Sequence, residues 1–245
     1  MMITDTKNMA SESVKLIEED VEGGGKEQDM NEINYINIRL GFLRKVYGLL
    51  SLQLLITVMV STVFMAFQPL KTFLQENPWT IMLSFIMTMG TLIALYIKRR
   101  EHPANLMLLT LFTLSKAYTV AILVSMYEVT TVLQALFLTL TVVVGLTIYA
   151  FQGKRQPSIS ISGLFIGLWI LLLGGFMQIF LQNSLLELTL GITGAILMSM
   201  FIIFDTRLMM HTLSPEEYIL ATINIYLDII NLFMYVLRIL SETSQ

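Results

Sequence analysis

SPEEYILATINIYLDIINLFMYVLR, residues 214–238, is apolar along its length except for one row of side chains. Glu217, Ala221, Asn224, Asp228, Asn231, Tyr235 and Arg238 recur at alternating steps of four and three, which places them on one face of a helix. The stretch opens as helices open: Ser214 suits the cap, Pro215 the first helical position, and Glu217 the third place of a capping box. At about 1.5 Å per residue, Asp228 stands roughly 20 Å from Pro215. That is deep inside a bilayer, if the helix crosses one. An ionisable group at that depth is costly unless it is paired, hydrated or neutralised. Asp228 therefore needs a partner, and the rest of the chain has to supply it.

Composition makes the crossing the expected state. Of 245 residues 55% are hydrophobic and only 13% charged, against about 25% charged in water-soluble domains. Seven apolar stretches, at about 44–67, 79–97, 104–126, 129–151, 159–182, 185–208 and 216–239, each approach the ~20 residues that a bilayer requires. The fold class expected is all-α: one polytopic bundle of seven helices with no inserted soluble domain. Residues 1–37 are polar and acidic, with Glu18, Glu19, Asp20, Glu22 and three consecutive glycines, and are expected as a disordered tail ahead of the membrane domain 38–245. The first residues lack an apolar core of the signal-peptide kind, so insertion is expected to rely on the first span. Without cysteine there is no disulfide or thiolate metal site, and two histidines do not make a His-rich one. A net charge of −3 gives no reason to expect a nucleic-acid partner.

Basic residues set the orientation. Arg39, Arg44, Lys45, Lys98, Arg99, Arg100, Lys154, Arg155 and Arg207 fall on one side of the spans, and only Lys71 and Arg238 on the other. The N-terminus is therefore expected in the cytosol. Gly163 with Gly167 in the fifth span, and Gly191, Ala195 and Ser199 in the sixth, are rows that let helices approach closely.

The sixth span ends GAILMSMFIIFDTRLMMH and carries Asp205. A short turn joins it to the seventh, so the two are expected to be antiparallel neighbours that bring Asp205 towards Asp228. Two carboxylates in a low-dielectric site cannot both ionise cheaply, so such a pair titrates as a unit and holds a proton, or a hard cation such as Ca²⁺, between its oxygens. The alternative is that each aspartate is satisfied separately, by Asn224, Asn231, a tyrosine or Arg207, and only fixes packing. Lys116, mid-span in TLSKAYTV, is a second buried-looking charge that either neutralises an aspartate or snorkels to the interface. Lys98, Arg99 and Arg100 either anchor the second span at the interface or supply a cation that latches onto Asp205. Glu187, at the start of the sixth span, is expected to face water.

At FIIFDT (201–206) and through residues 214–240 the sequence resembles the Bax-inhibitor-motif, or lifeguard, family. The likeness extends to RLGFLRKVYGLLSLQLLIT (39–57), FTL (112–114), TVA (119–121), LQALFLT (133–139) and GLTIYAFQ (145–152), and is nearest to the Golgi anti-apoptotic subgroup, which has cellular and poxviral members. The resemblance implies a seven-helix bundle with the last helix central, a Ca²⁺-permeable leak in Golgi and ER membranes, and suppression of apoptosis through lower stored Ca²⁺. It places a di-aspartyl pH sensor on Asp205 and Asp228, a cation latch on Lys98 or Arg99, and a pore-associated glutamate on Glu216. Relatives in the subgroup tend to carry glutamate where this chain has Lys116, a reversal that bears on conduction. Three readings follow. The first is a pH-sensitive Ca²⁺ leak, with Ca²⁺ as permeant ion, no other cofactor, and no enzymatic activity. The second is a non-conducting regulator that binds other membrane channels or apoptosis regulators, as a monomer or homo-oligomer. The third, an intramembrane aspartyl protease, requires GxGD before Asp228 and a downstream PAL; Ile225, Tyr226 and Leu227 stand there instead, and no PAL occurs.

Overall fold

The computed structural model describes residues 2–77, 79–153 and 160–243, with side chains from residue 33 onward apart from 74 and 75. Eight α-helices follow one another: α1 (Met2–Ala66), α2 (Gln68–Glu76), α3 (Trp79–Lys98), α4 (Ala104–Val124), α5 (Val129–Gln152), α6 (Ile161–Leu181), α7 (Ser184–His211) and, after a 3₁₀ turn at Pro215–Glu217, α8 (Tyr218–Thr243). Among the described residues there is no strand. Among the described residues, seven segments are long and apolar enough to cross a membrane: Ile33–Ala66, α3, α4, α5, α6, α7, and Pro215–Thr243. The chain divides into two units, Met1–Phe42 and Leu43–Gln245. The first is the leading part of α1, and the second holds the remainder of α1 with α2 to α8.

Of the residues expected as a disordered tail, 2–37 fall within the bounds of α1. One local expectation changes. The connection between the first two spans is not simply a break. It forms α2, with Pro69 in the first turn, where its missing N–H is no loss. Lys154 and Arg155 lie outside the described residues.

The second unit is apolar on its outside as well as in its core, and hydroxylated residues are buried where helices meet. On α3, Thr80, Ser84, Thr88 and Thr91 are buried while Met82, Phe85, Ile86 and Ile97 are exposed. The hydroxyls are satisfied within the bundle: Thr88 donates to the Ser84 carbonyl at 2.7 Å, and Ser84 meets Thr119 of α4 at 2.9 Å. Lipid is as good a solvent as protein for Phe and Ile. Small and hydroxylated residues therefore collect where helices touch.

The last helix is the most enclosed. Of its apolar window 67% is buried, against at most 44% in any other span. It packs extensively on α7 and also on α5. The Phe112 ring of α4 meets Tyr226 edge-on at 6.0 Å between centroids. Thr57 of α1 lies 2.8 Å from the Tyr226 hydroxyl. Because the Thr57 proton goes to the Gln53 carbonyl, Tyr226 is the donor to Thr57. Beside it, Gln53 donates to Thr113 of α4 at 2.8 Å. This polar knot ties α1 and α4 to the middle of α8.

Glycines allow the close approaches, at some of the expected places and at others besides. Gly167 and Gly174 of α6 leave room for Leu197 and Leu190 of α7, while Gly163 meets only Ser160 of its own turn. The GxxxG pair is thus not the contact. A spacing of seven, two helical turns, brings Gly167 and Gly174 onto one line facing α7. Gly191 and Gly194 of α7 make room for Ile239 and Tyr235 of α8. Ala195 and Ser199 instead line a shallow groove with residues of α5 and α8.

Candidate functional site

The polar row of the last span faces α7 and the α3–α4 turn. Ser184 to His211 runs antiparallel to Tyr218 to Thr243, so contacts descend in register: Glu187 with Arg238, Gly194 with Tyr235, Asp205 with Asp228. The side chains of Asp205 and Asp228 lie within hydrogen-bonding reach of each other. Asp228 is buried and Asp205 partly so, and Oδ2 of Asp228 has no hydrogen-bond partner among the described residues. An unsatisfied buried oxygen costs about 1–3 kcal/mol when neutral and more when charged. With the Asp205 carboxylate beside it, ionising both acids at once is costly. Asn224, Asn231 and Tyr235 lie half-buried on the same helix.

Among the described residues no cluster of three or more His, Cys, Asp or Glu side chains forms. Asp205 and Asp228 alone fall short of the roughly six to eight oxygens that Ca²⁺ takes.

The expected latch is rearranged. Arg99 does not reach Asp205; its Nη2 lies 3.3 Å from Oε1 of Glu217, and Arg100 Nη2 lies 2.9 Å from the same oxygen. Arg99 also sits 4.9 Å over the Tyr96 ring. Lys98 pairs locally with Glu101 at 3.1 Å. The reason is geometric: these cations follow the last turn of α3, level with the start of α8, whereas Asp205 is deeper on α7. Glu217 is consequently turned to the arginines, and the expected capping box is incomplete. Ser214 still caps, its Oγ accepting from the Glu216 amide at 3.5 Å. Glu216 itself is exposed at this turn. Next to it, Tyr218 hydrogen-bonds His102, receives Asn105 at 3.4 Å, and carries Lys45 5.8 Å over its ring.

At the opposite end Glu187 does not face open water. Its Oε1 pairs with Arg238 Nε at 3.2 Å, and Gln178 of α6 donates to its other oxygen at 3.3 Å. Nearby, burial pushes the Tyr127 phenol above its ordinary value; Arg238 pulls it down, and Glu187 and Glu242 add to the rise. Lys116 is half-buried on α4, and no carboxylate of the described residues stands within ion-pair distance of it. It neutralises neither aspartate. Sequence reasoning missed the pairing of Arg99 and Arg100 with Glu217 and that of Glu187 with Arg238. Glu217 was legible as a member of the same row as Asp228, and Glu187 and Arg238 as opposite charges at facing helix ends.

Fold and site together define an integral-membrane helical bundle whose last helix carries a buried acid against a second acid on its neighbour. The family model described as "Inhibitor of apoptosis-promoting Bax1" matches residues 39–245, and the chain belongs to this Bax-inhibitor, or lifeguard, family. It is 47% identical over 210 residues to Protein lifeguard 4 of Mus musculus, covering 86% of this chain and 88% of that one. It is 46% identical to the Golgi anti-apoptotic protein of Vaccinia virus (strain Lister), covering 86% and 89%. A BI1-like protein of Arabidopsis thaliana is 39% identical, covering 84% and 82%.

Proposed function

We propose that this chain is a pH-sensitive Ca²⁺ leak of Golgi and ER membranes, with its N-terminus in the cytosol, that lowers stored Ca²⁺ and thereby suppresses apoptosis. The observation that carries the reading is the contact between Asp205 and Asp228 at the heart of the α7–α8 interface. Sharing a proton, the two carboxylates hold α7 and α8 together. Once that proton leaves, like charges face each other in a poorly solvated site, and the helices are pushed apart. The leak therefore opens as pH rises and closes as it falls. Glu216, exposed at the mouth, adds negative potential, and Arg99 on Glu217 holds the closed form. Location in the Golgi and the anti-apoptotic role are supported by the name of the poxviral relative.

The test is Ca²⁺ flux into liposomes that contain the purified chain, measured across pH for wild type and Asp228→Asn. The wild type is expected to leak more at higher pH. The asparagine variant, whose amide donates to Asp205 at every pH, is expected to stay closed with a flat profile. Identical profiles, or no flux above empty vesicles, overturn the proposal. A second reading is a non-conducting regulator that binds other membrane channels or death-pathway proteins; it is favoured by relatives whose names speak of apoptosis and not of transport. Absence of flux together with co-purification of such partners supports it.

A further inference from the structure

We propose that Arg99 and Arg100 form a binding site for a phosphate-bearing anion, presented by the headgroup of an anionic membrane lipid, and that this anion competes with Glu217 for the two guanidinium groups. Both arginines end on one oxygen: Arg99 Nη2 at 3.3 Å and Arg100 Nη2 at 2.9 Å from Oε1 of Glu217. A guanidinium presents five N–H donors in a planar fork, suited to two oxygens at once. Here two forks converge on a single acceptor, so most of their donors are left for another oxyanion, and one positive charge is in excess. Arg100 is open to take a ligand, with 59% of its side chain exposed, while Glu217 is at 18%.

The surroundings favour phosphate over a second protein carboxylate. The cluster holds Lys45, Lys98, Arg99 and Arg100 against Glu101, Glu216 and Glu217, so it remains net positive. Lys98 is occupied by Glu101, and Lys45 stands over the Tyr218 ring. The site follows directly on the end of a membrane span, α3, at the level where headgroups lie. Tyr96 under Arg99 and Tyr218 beside His102 give it the aromatic floor of an interfacial position. Basic side chains next to a span attract anionic lipid by about fivefold in affinity for each charge. Two arginines converging in a fixed geometry add orientation to that attraction.

Binding is tested directly, without reference to ion flux, so it stands or falls apart from the proposed leak. The full chain is placed in nanodiscs of phosphatidylcholine doped with a phosphatidylinositol phosphate, and the lipid retained is counted by native mass spectrometry. Wild type is expected to retain the phosphoinositide in preference to phosphatidylcholine. Arg99→Gln with Arg100→Gln is expected to lower retention by more than about tenfold. Glu217→Gln removes the competitor and is expected to raise it, and Lys98→Gln to change it little. Loss of the lipid from wild type to soluble inositol phosphate supports the site with a free anion as ligand; retention against that competitor supports lipid as the source. Equal retention by the double-arginine variant and wild type overturns the proposal. So does a loss in Lys98→Gln as large as in the arginine variant, which signals general surface charge, or a loss in Glu217→Gln, which makes Glu217 part of the site's scaffold.

Discussion

Tyr235 of α8 lies with its ring over Gly194 of α7, in the space that a β-carbon at position 194 would occupy. This contact lies along the chain between the Asp205–Asp228 level and the Glu187–Arg238 pair. Gly194→Ala is expected to push the ring out and cost about 1–3 kcal/mol. Gly145→Ala on α5, where nothing lies within 4 Å, is expected to be neutral or stabilising by up to about 1 kcal/mol. Thermal unfolding of both variants in detergent checks this, and equal midpoints count against the described packing.

The hydroxyl of Tyr226 donates to Thr57 inside the bundle. Tyr226→Phe removes the donor but leaves Thr57 its bond to the Gln53 carbonyl. The expected cost is about 0.5–1.5 kcal/mol, without change in the pH profile of flux. A shifted profile would tie this knot to the gate.

Glu187 and Arg238 are each about one-third exposed, so solvent weakens their attraction. Single charge-neutralising variants, Glu187→Gln and Arg238→Gln, are expected to destabilise by about 1 kcal/mol or less, and a double-mutant cycle to give coupling of about 0.2–1 kcal/mol. Coupling should shrink in high salt. A coupling of zero at low salt removes this contact from the account of how α8 is held.

If Asp205 and Asp228 share a proton, as proposed, stability itself is pH-dependent. If the folded state holds a proton that the unfolded chain releases, stability falls as pH rises. The wild-type melting temperature is thus expected to drop by a few degrees between about pH 5 and about pH 8, at about 2–4 °C per kcal/mol. Asp228→Asn is expected to flatten that slope. An unchanged slope means that the acids do not share a proton.

Much of this was readable from residues alone, because lipid imposes simple rules on a chain. All seven spans match helices to within a few residues except at the start of the first, and α8 carries its polar row towards α7 as the steps of four and three require. The approach of Asp205 to Asp228 follows from a short turn between antiparallel helices. What escaped was whatever depends on depth and rotation. A latch from Lys98 or Arg99 onto Asp205 was one of two readings of that cluster; Arg99 meets Glu217, because only the relative height of α3 and α8 decides which acid it reaches. Gly163 looked like a contact and is not one, since a spacing says which residues share a face but not which face finds a partner. α2 is amphipathic but, at nine residues, too short to announce itself as a span.

The ion pairs at its two ends define how α8 can move. Glu217 is drawn to the two arginines that follow α3 and Arg238 to α7, with Asp228 nearly midway, roughly 15–17 Å along the axis from either. Sliding the helix lengthwise stretches both fastenings, and so does tilting it, because a tilt moves the two rims most. A sideways push at Asp228 acts on a beam pinned at both ends, so it displaces the middle of α8 most and the rims least.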